Sequence, residues 1–331
     1  MNIHLKKAGS LIFMVLWLFV CGEVVLRVFS MAIPIYDVEM MRYAKALKVR
    51  SPISGIFHQH RANASYELMN VEVSLNNLGH RNPELKTPKP KNERRIHFIG
   101  SSMTLGWGVT AKDTFSLVVP RLLNEDMKTK TDLSFVGINA GIGNYNTFYE
   151  VELLKRQIDL TKPDMVVIQY HVNDAQPNPE GKDNPILKYS EFVAFIYINL
   201  KSVMAVATKT LAEYYQDLYE DGSPSWERAK KSISDLKSLS DSYNIPVVAV
   251  LVPDLHDLSE DGPYPPLYAL IEKAFNKNGI DMVNPLQALR VKFKDGLSKA
   301  WVYRDDPHPS AEAHRIIAEK IVGYLKAHPI W

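Results

Sequence analysis

The sequence predicts a three-layer α/β/α domain on a mainly parallel sheet of about five strands, preceded by one membrane helix. Three observations carry this expectation. Short apolar runs at 95–99, 133–138, 165–170, 246–252 and 281–283 alternate with longer amphipathic stretches at 113–125, 146–160, 225–243, 265–277 and 310–327. That alternation implies crossover connections, and therefore parallel strands covered on both faces. Polar and small residues gather where the apolar runs end, at the sheet edge where open α/β folds bind ligands. Finally, Lys6 and Lys7 precede an unbroken apolar segment from Leu11 to Gly22.

The N-terminal segment divides the chain first. Residues 1–10 read as a cytoplasmic N-terminus and 11–33 as a signal-anchor or transmembrane helix. The uninterrupted apolar core is shorter than the about 20 residues a span needs. Glu23 and Arg27 then either follow a cleaved leader or lie at the outer interface with their stems snorkelling. Ser30-Met-Ala32 has the small residues of a cleavage site but lies well beyond the apolar core, so an uncleaved anchor is expected. The flanking lysines put the N-terminus in the cytoplasm and the rest of the chain in the periplasm or outside the cell.

The remainder has the composition of a globular protein. The 331 residues are 46% hydrophobic and carry 39 basic against 37 acidic side chains, a balance that argues against nucleic acid as a partner. The single cysteine, Cys21, allows no internal disulfide, and no His or Cys spacing suggests a metal or cofactor. Residues 34–94 look polar and irregular, with one strand at 71–74 and a Pro/Lys-rich connector at 87–92. They are expected to form a linker and a small lead-in subdomain. The catalytic domain is placed at 95–329. Its helical insertion, 186–220, carries the apolar runs 192–200 and 203–206 and reads as a lid over the pocket or beside the membrane.

The stretch from Arg95 to Val109 organises the domain. Ile96, Phe98 and Ile99 supply a buried strand, and Gly100 lets the chain bend so that the next side chains emerge at the sheet edge. Three further polar groups follow at strand ends: Asn139-Ala-Gly-Ile-Gly-Asn-Tyr-Asn-Thr147, Tyr170-His-Val-Asn-Asp174 and Asp305-Asp-Pro-His308. Two other motifs fail. Gly141-Ile-Gly-Asn-Tyr-Asn146 lacks the third glycine of a dinucleotide fingerprint, and Thr104 stands where a nucleophile elbow needs glycine.

In block order these four groups resemble the SGNH (GDSL-like) hydrolase superfamily over roughly residues 70–329. Gly100-Ser-Ser-Met-Thr-Leu-Gly106 matches the family's first block except that Ser101 replaces its Asp. The resemblance implies an SGNH, flavodoxin-like fold and a Ser-His-Asp triad of Ser102, His308 and Asp305. A serine hydroxyl needs a base within hydrogen-bond reach, itself oriented by a third group. The oxyanion donors implied are the N–H of Ser102, an N–H at Gly143 or Asn144, and the side-chain amide of Asn173. Asn144 falls where family members usually carry glycine, and Asn tolerates left-handed backbone. Trp107, Tyr145 and His171 are expected to contact substrate, with Tyr149 and Tyr170 as further candidate sugar platforms. Asp174 reads as structural.

The function expected is a membrane-anchored serine esterase or deacylase that acts on O-acyl groups, with an envelope carbohydrate as substrate. The alternatives are an O-acyltransferase using the same triad and a binding or scaffold subunit that has lost turnover. The partners implied are an acylated carbohydrate or other ester, the membrane, and envelope polysaccharide assembly proteins. No cofactor is implied.

Overall fold

The computed structural model describes residues 3–178, 189–206, 209–304 and 306–329. Its first element, α1 (Ile3–Ala32), is a single helix, of which Gly9–Ala32 is long and apolar enough to cross a membrane. A candidate span of this kind is equally consistent with a signal sequence.

Residues 36–82, expected as part of a linker and small lead-in subdomain with one strand at 71–74, carry that strand and further regular elements. They form α2 (Tyr36–Leu47), the antiparallel pair β1 (Lys48–Arg50) and β2 (His58–His60), and the antiparallel pair β3 (Ser65–Leu68) and β4 (Val71–Ser74). The four strands are too short to show a clear period, and the layer is held by long-range contacts. Tyr43, Leu47, Leu68, Met69, Val73 and Leu75 pack with Leu105 and Trp107 of the turn that follows Gly100.

Arg81 ties this layer down. Its fully buried guanidinium donates to the carbonyls of Leu105 (3.0 Å), Gly106 (2.6 Å), Glu72 (3.0 Å) and Val109 (2.8 Å). Burial lowers Arg81 to about 10, which leaves it charged at neutral pH. Arg81→Met would remove four hydrogen bonds to backbone carbonyls, so we expect a loss of about 3 kcal/mol of stability. The melting temperature should fall by roughly 10 °C. A melting curve that overlays the wild type would contradict this account.

The domain proper starts with β5 (Glu93–Ile99), followed by α3 (Ser102–Leu105), α4 (Phe115–Met127), β6 (Ser134–Asn139), α5 (Thr147–Thr161) and β7 (Met165–Tyr170). Two helices of the insertion, α6 (Glu191–Val206) and α7 (Leu211–Leu218), come next. Then follow α8 (Pro224–Tyr243), β8 (Val247–Leu251), α9 (Pro265–Lys277), β9 (Met282–Val283) and α10 (Leu286–Phe293). A small antiparallel pair, β10 (Trp301–Tyr303) with β11 (Asp306–Pro309), leads into α11 (Ala311–Ala327). The sheet order is β6-β5-β7-β8-β9, and every pairing is parallel.

Both sheet faces are covered, which is why the strands read as nearly continuous apolar runs. Alternate residues face alternate sides. Ile96, Phe98, Val167, Val248 and Val250 pack with Phe115, Val119 and Leu123 of α4 and with Ile317, Ile321 and Leu325 of α11. On the other face Ile99, Ile168, Tyr170, Ala249 and Leu251 pack with Leu154 of α5, Ile233 and Leu236 of α8, and Ile271 and Phe275 of α9. Because β6 and β7 lie on opposite sides of β5, the chain reverses direction there. A crevice opens beyond the carboxyl ends of these strands.

The start of α6 is built on α1. Glu23 accepts hydrogen bonds from Ser190 Oγ (2.8 Å) and from the N–H groups of Glu191 (3.1 Å) and Phe192 (2.9 Å). Arg27 Nε donates to the same carboxylate at 2.7 Å. Phe192 lies directly over Gly22, so closely that a Cβ there would stand 2.6 Å from its ring.

Candidate active site

The turn after β5 is shaped by close approach. A Cβ on Gly100 would lie 2.1 Å from Thr104 Oγ1, and one on Gly141 would lie 2.1 Å from the backbone nitrogen of Leu105, so neither site admits a side chain. Ser101, which stands where the resembling family has Asp, turns away from the crevice. Its N–H and hydroxyl both reach Gln169 Oε1, at 3.0 and 3.1 Å, and Gln169 Nε2 passes the chain on to Asp174 at 3.2 Å. Asp174 also accepts from the N–H of His171 at 2.6 Å.

Ser102 is buried and directs its Oγ at His308 Nε2, 2.8 Å away. The other ring nitrogen, Nδ1, is 2.6 Å from Asp306 Oδ1, which also accepts the N–H of His308 at 3.1 Å. A carboxylate only accepts, so the proton belongs on Nδ1 and Nε2 is left to accept from the serine. Asp306 is further held by the indole N–H of Trp107, 2.9 Å from Oδ2. Burial raises the Asp306 carboxyl, but the hydrogen bond and charge of His308 and the bond from Trp107 outweigh it and hold it below the ordinary carboxylate range. The ring of Tyr36, at the start of α2, covers the imidazole at 5.8 Å.

The orienting carboxylate was expected at Asp305, which lies outside the described residues. The carboxylate on His308 is Asp306, and the geometry of β11 explains why. In an extended strand side chains two apart share a face, whereas a three-residue step needs a turn. Trp107 is likewise not a sugar platform: it is buried and its N–H is committed to Asp306. Tyr149 and Tyr170 are also buried, Tyr170 against Phe275.

The crevice is a cavity of about 620 Å³. Ser102, Asp306 and His308 form one wall, and Asn144, Tyr145 and Asn146 form the next. His171, Asn173, Asp254 and His256 also line it, together with Ser202, Leu211 and Tyr215 of the inserted helices. Of the implied oxyanion donors, the N–H of Gly143 is not available, because it donates to Tyr43 Oη at 2.8 Å. The N–H groups of Ser102 and Asn144 donate to no protein acceptor among the described residues. Asn144 adopts left-handed backbone, φ 65°. Asn173 faces the cavity, with its side-chain oxygen 3.0 Å from His171 Nδ1.

Two features escaped the sequence reading. One is Lys48, which reaches the Gly143–Asn144 loop from β1. The other is the pair Asp254 and His256 just beyond β8, which repeats the geometry of Asp306 and His308. His256 Nδ1 is 2.7 Å and its N–H 2.9 Å from Asp254 Oδ1. The hydrogen bond to Asp254 raises His256 despite its partial burial. Burial raises Asp254, but its contacts with His256 and His171 leave it lowered. The repeated Asp-x-His spacing beyond a predicted strand was the available signal.

No known protein-family profile and no curated protein matches this chain. Solved structures similar to it are esterases, lipases and acylhydrolases. A two-domain esterase active on acetylated mannans is 16% identical with a TM-score of 0.46, the match covering 71% of this chain and 49% of that one. The chain thus spans about half the length of that esterase. A GDSL-like lipase from Bacteroides thetaiotaomicron is 18% identical with a TM-score of 0.41, covering 74% and 93%. The psychrotrophic esterase EstA from Pseudoalteromonas sp. is 12% identical with a TM-score of 0.42, covering 71% and 98%.

Proposed function

We propose that this chain is a serine esterase or deacylase that removes O-acyl groups through an acyl-enzyme on Ser102. The observation that carries the reading is the relay from Ser102 Oγ to His308 Nε2 at 2.8 Å and from Nδ1 to Asp306 at 2.6 Å. Ser102 attacks the ester carbonyl carbon while its proton passes to Nε2. The oxygen that becomes negative is met by the N–H groups of Ser102 and Asn144 and the amide of Asn173. Nε2 then protonates the departing alkoxide; water next attacks the acyl carbon while losing a proton to Nε2, the bond from that carbon to Ser102 Oγ breaks, and Oγ takes the proton back from Nε2.

An acylated carbohydrate is the substrate class that suits the cavity. Asn173, Asp254 and His256 offer hydrogen bonds to hydroxyls, whereas Tyr145 is buried against His58 and Tyr149 and offers no free ring face. With α1 retained as an anchor and Lys6 and Lys7 on the cytoplasmic side, residues 34–331 would work in the periplasm or at the cell exterior, beside polysaccharide assembly proteins. A second reading, transfer of the acyl group to a sugar hydroxyl, is favoured by the oriented imidazole of His256 in the same cavity.

The test uses the full chain in detergent with 4-nitrophenyl acetate, with and without an oligosaccharide acceptor. Steady nitrophenol release is expected. Acetate on the sugar by mass spectrometry would select transfer over hydrolysis, and no release under either condition would favour the scaffold alternative.

A further inference from the structure

A positive charge with no negative partner stands behind the loop that carries Asn144. Lys48, the first residue of β1, donates from Nζ to the carbonyl of Gly143 at 2.6 Å and to Oδ1 of Asn144 at 2.9 Å. The same nitrogen lies 4.5 Å from the centre of the Tyr43 ring. Three electron-rich partners match the three N–H bonds of an ammonium rather than the two of a neutral amine. Among the described residues no carboxylate balances it.

The Gly143 carbonyl and the Asn144 N–H belong to one peptide unit. In a trans peptide they point in opposite directions. A carbonyl held toward Lys48, and toward His58 Nε2 at 3.2 Å, therefore directs the N–H away from β1 and β2. The preceding amide is fixed too, since Gly143 N–H donates to Tyr43 Oη at 2.8 Å. We propose that Lys48 is a positioning residue of the oxyanion site. It locks and polarises the Gly143–Asn144 peptide so that the Asn144 N–H meets the oxygen that turns negative during acyl transfer. Hydrogen bonds in series polarise one another. The charge of Lys48 is balanced only when that oxygen is an anion, so the interaction favours the transition state over bound substrate. The inference rests on the acyl-enzyme reading of Ser102.

The pH dependence follows from the neighbours. Burial of the amine lowers Lys48 to about 7. Tyr43 of α2 and His58 and His60 of β2 face this region. Burial raises Tyr43 and lowers both imidazoles to about 3, so these three stay uncharged between about pH 6 and 9. Lys48 loses its proton as pH rises through that window, and kcat should fall on the alkaline side.

The experiment measures kcat and KM for 4-nitrophenyl acetate across pH 5.5–9.5 with the full chain in detergent, for wild type, Lys48→Met and Lys48→Arg. Lys48→Met should lower kcat roughly tenfold to a hundredfold near pH 6.5, less than direct loss of an oxyanion donor at its worst, with KM within about threefold and no alkaline fall. Lys48→Arg should recover most of kcat and keep it to pH 9.5, because a guanidinium does not titrate there. An active wild type with Lys48→Met unchanged in kcat and pH profile overturns the role of Lys48 and leaves that of Ser102 intact. A wild type that turns over no ester overturns both. If Lys48→Met fails to fold, Lys48→Arg decides alone, and a fall in its kcat at the wild-type pH overturns the assignment.

Discussion

Ser102→Ala is expected to lower ester turnover on the order of 10⁴-fold or more, whereas Ser101→Ala keeps a substantial part of the wild-type rate. The two hydroxyls are adjacent in sequence and opposite in environment. Ser102 Oγ meets His308 Nε2 at 2.8 Å at the cavity wall, and Ser101 Oγ meets Gln169 Oε1 at 3.1 Å beneath it. Only the first has a base to take its proton, and a serine without a base is a weak nucleophile. A fluorophosphonate probe should label the wild type and Ser101→Ala but not Ser102→Ala. Both variants should melt near the wild type, since a hydroxyl at a turn contributes little to the core. Labelling of Ser102→Ala as strong as that of the wild type would remove Ser102 from the nucleophile position.

Asp306→Asn should cost about 10³–10⁴ in kcat, and the cause can be traced atom by atom. Oδ1 of Asp306 serves both the N–H and the Nδ1–H of His308, and Oδ2 serves the indole of Trp107. An amide offers one accepting oxygen where the carboxylate offers two. If the oxygen stays with Trp107, the NH2 group faces His308 and favours the tautomer that carries its proton on Nε2, which cannot accept from Ser102. If the oxygen turns to His308, the NH2 group faces the indole N–H, donor against donor. Either arrangement leaves a buried donor unpaired, so stability should also fall by about 1–3 kcal/mol. Asp306→Asn turnover close to that of the wild type would show that another group orients His308.

The sheet and its flanking helices were legible because their signal is local and repeated. A strand buried on both faces must be apolar along its length, as Met165-Val-Val-Ile-Gln-Tyr170 is. Ser102, His308, Asn144, Asn173, Tyr145 and His171 were likewise marked by their places at strand ends, and the fold brings all of them to one cavity. What escaped depended on contacts far apart in sequence. Trp107 reads as an exposed aromatic beside a glycine-rich turn until Asp306 is seen to accept its N–H. Lys48 and Arg81 are ordinary surface cations by composition, and their roles arise from backbone carbonyls 95 and 24–28 residues away. The family spacing put the orienting carboxylate at Asp305, three residues before His308, and nothing in the sequence shows that the chain is extended at 306–309, where Asp306 takes that place.

The carboxylate of Glu23 is an N-terminal cap supplied by a different helix. A peptidase cutting after Ala32 would carry away Glu23 and the Gly22 surface that receives Phe192, leaving the N–H groups of Glu191 and Phe192 bare at the root of α6. That helix also brings Ser202 to the cavity. Severing the N-terminal segment would therefore loosen α6 at its root, and with it part of the cavity lining.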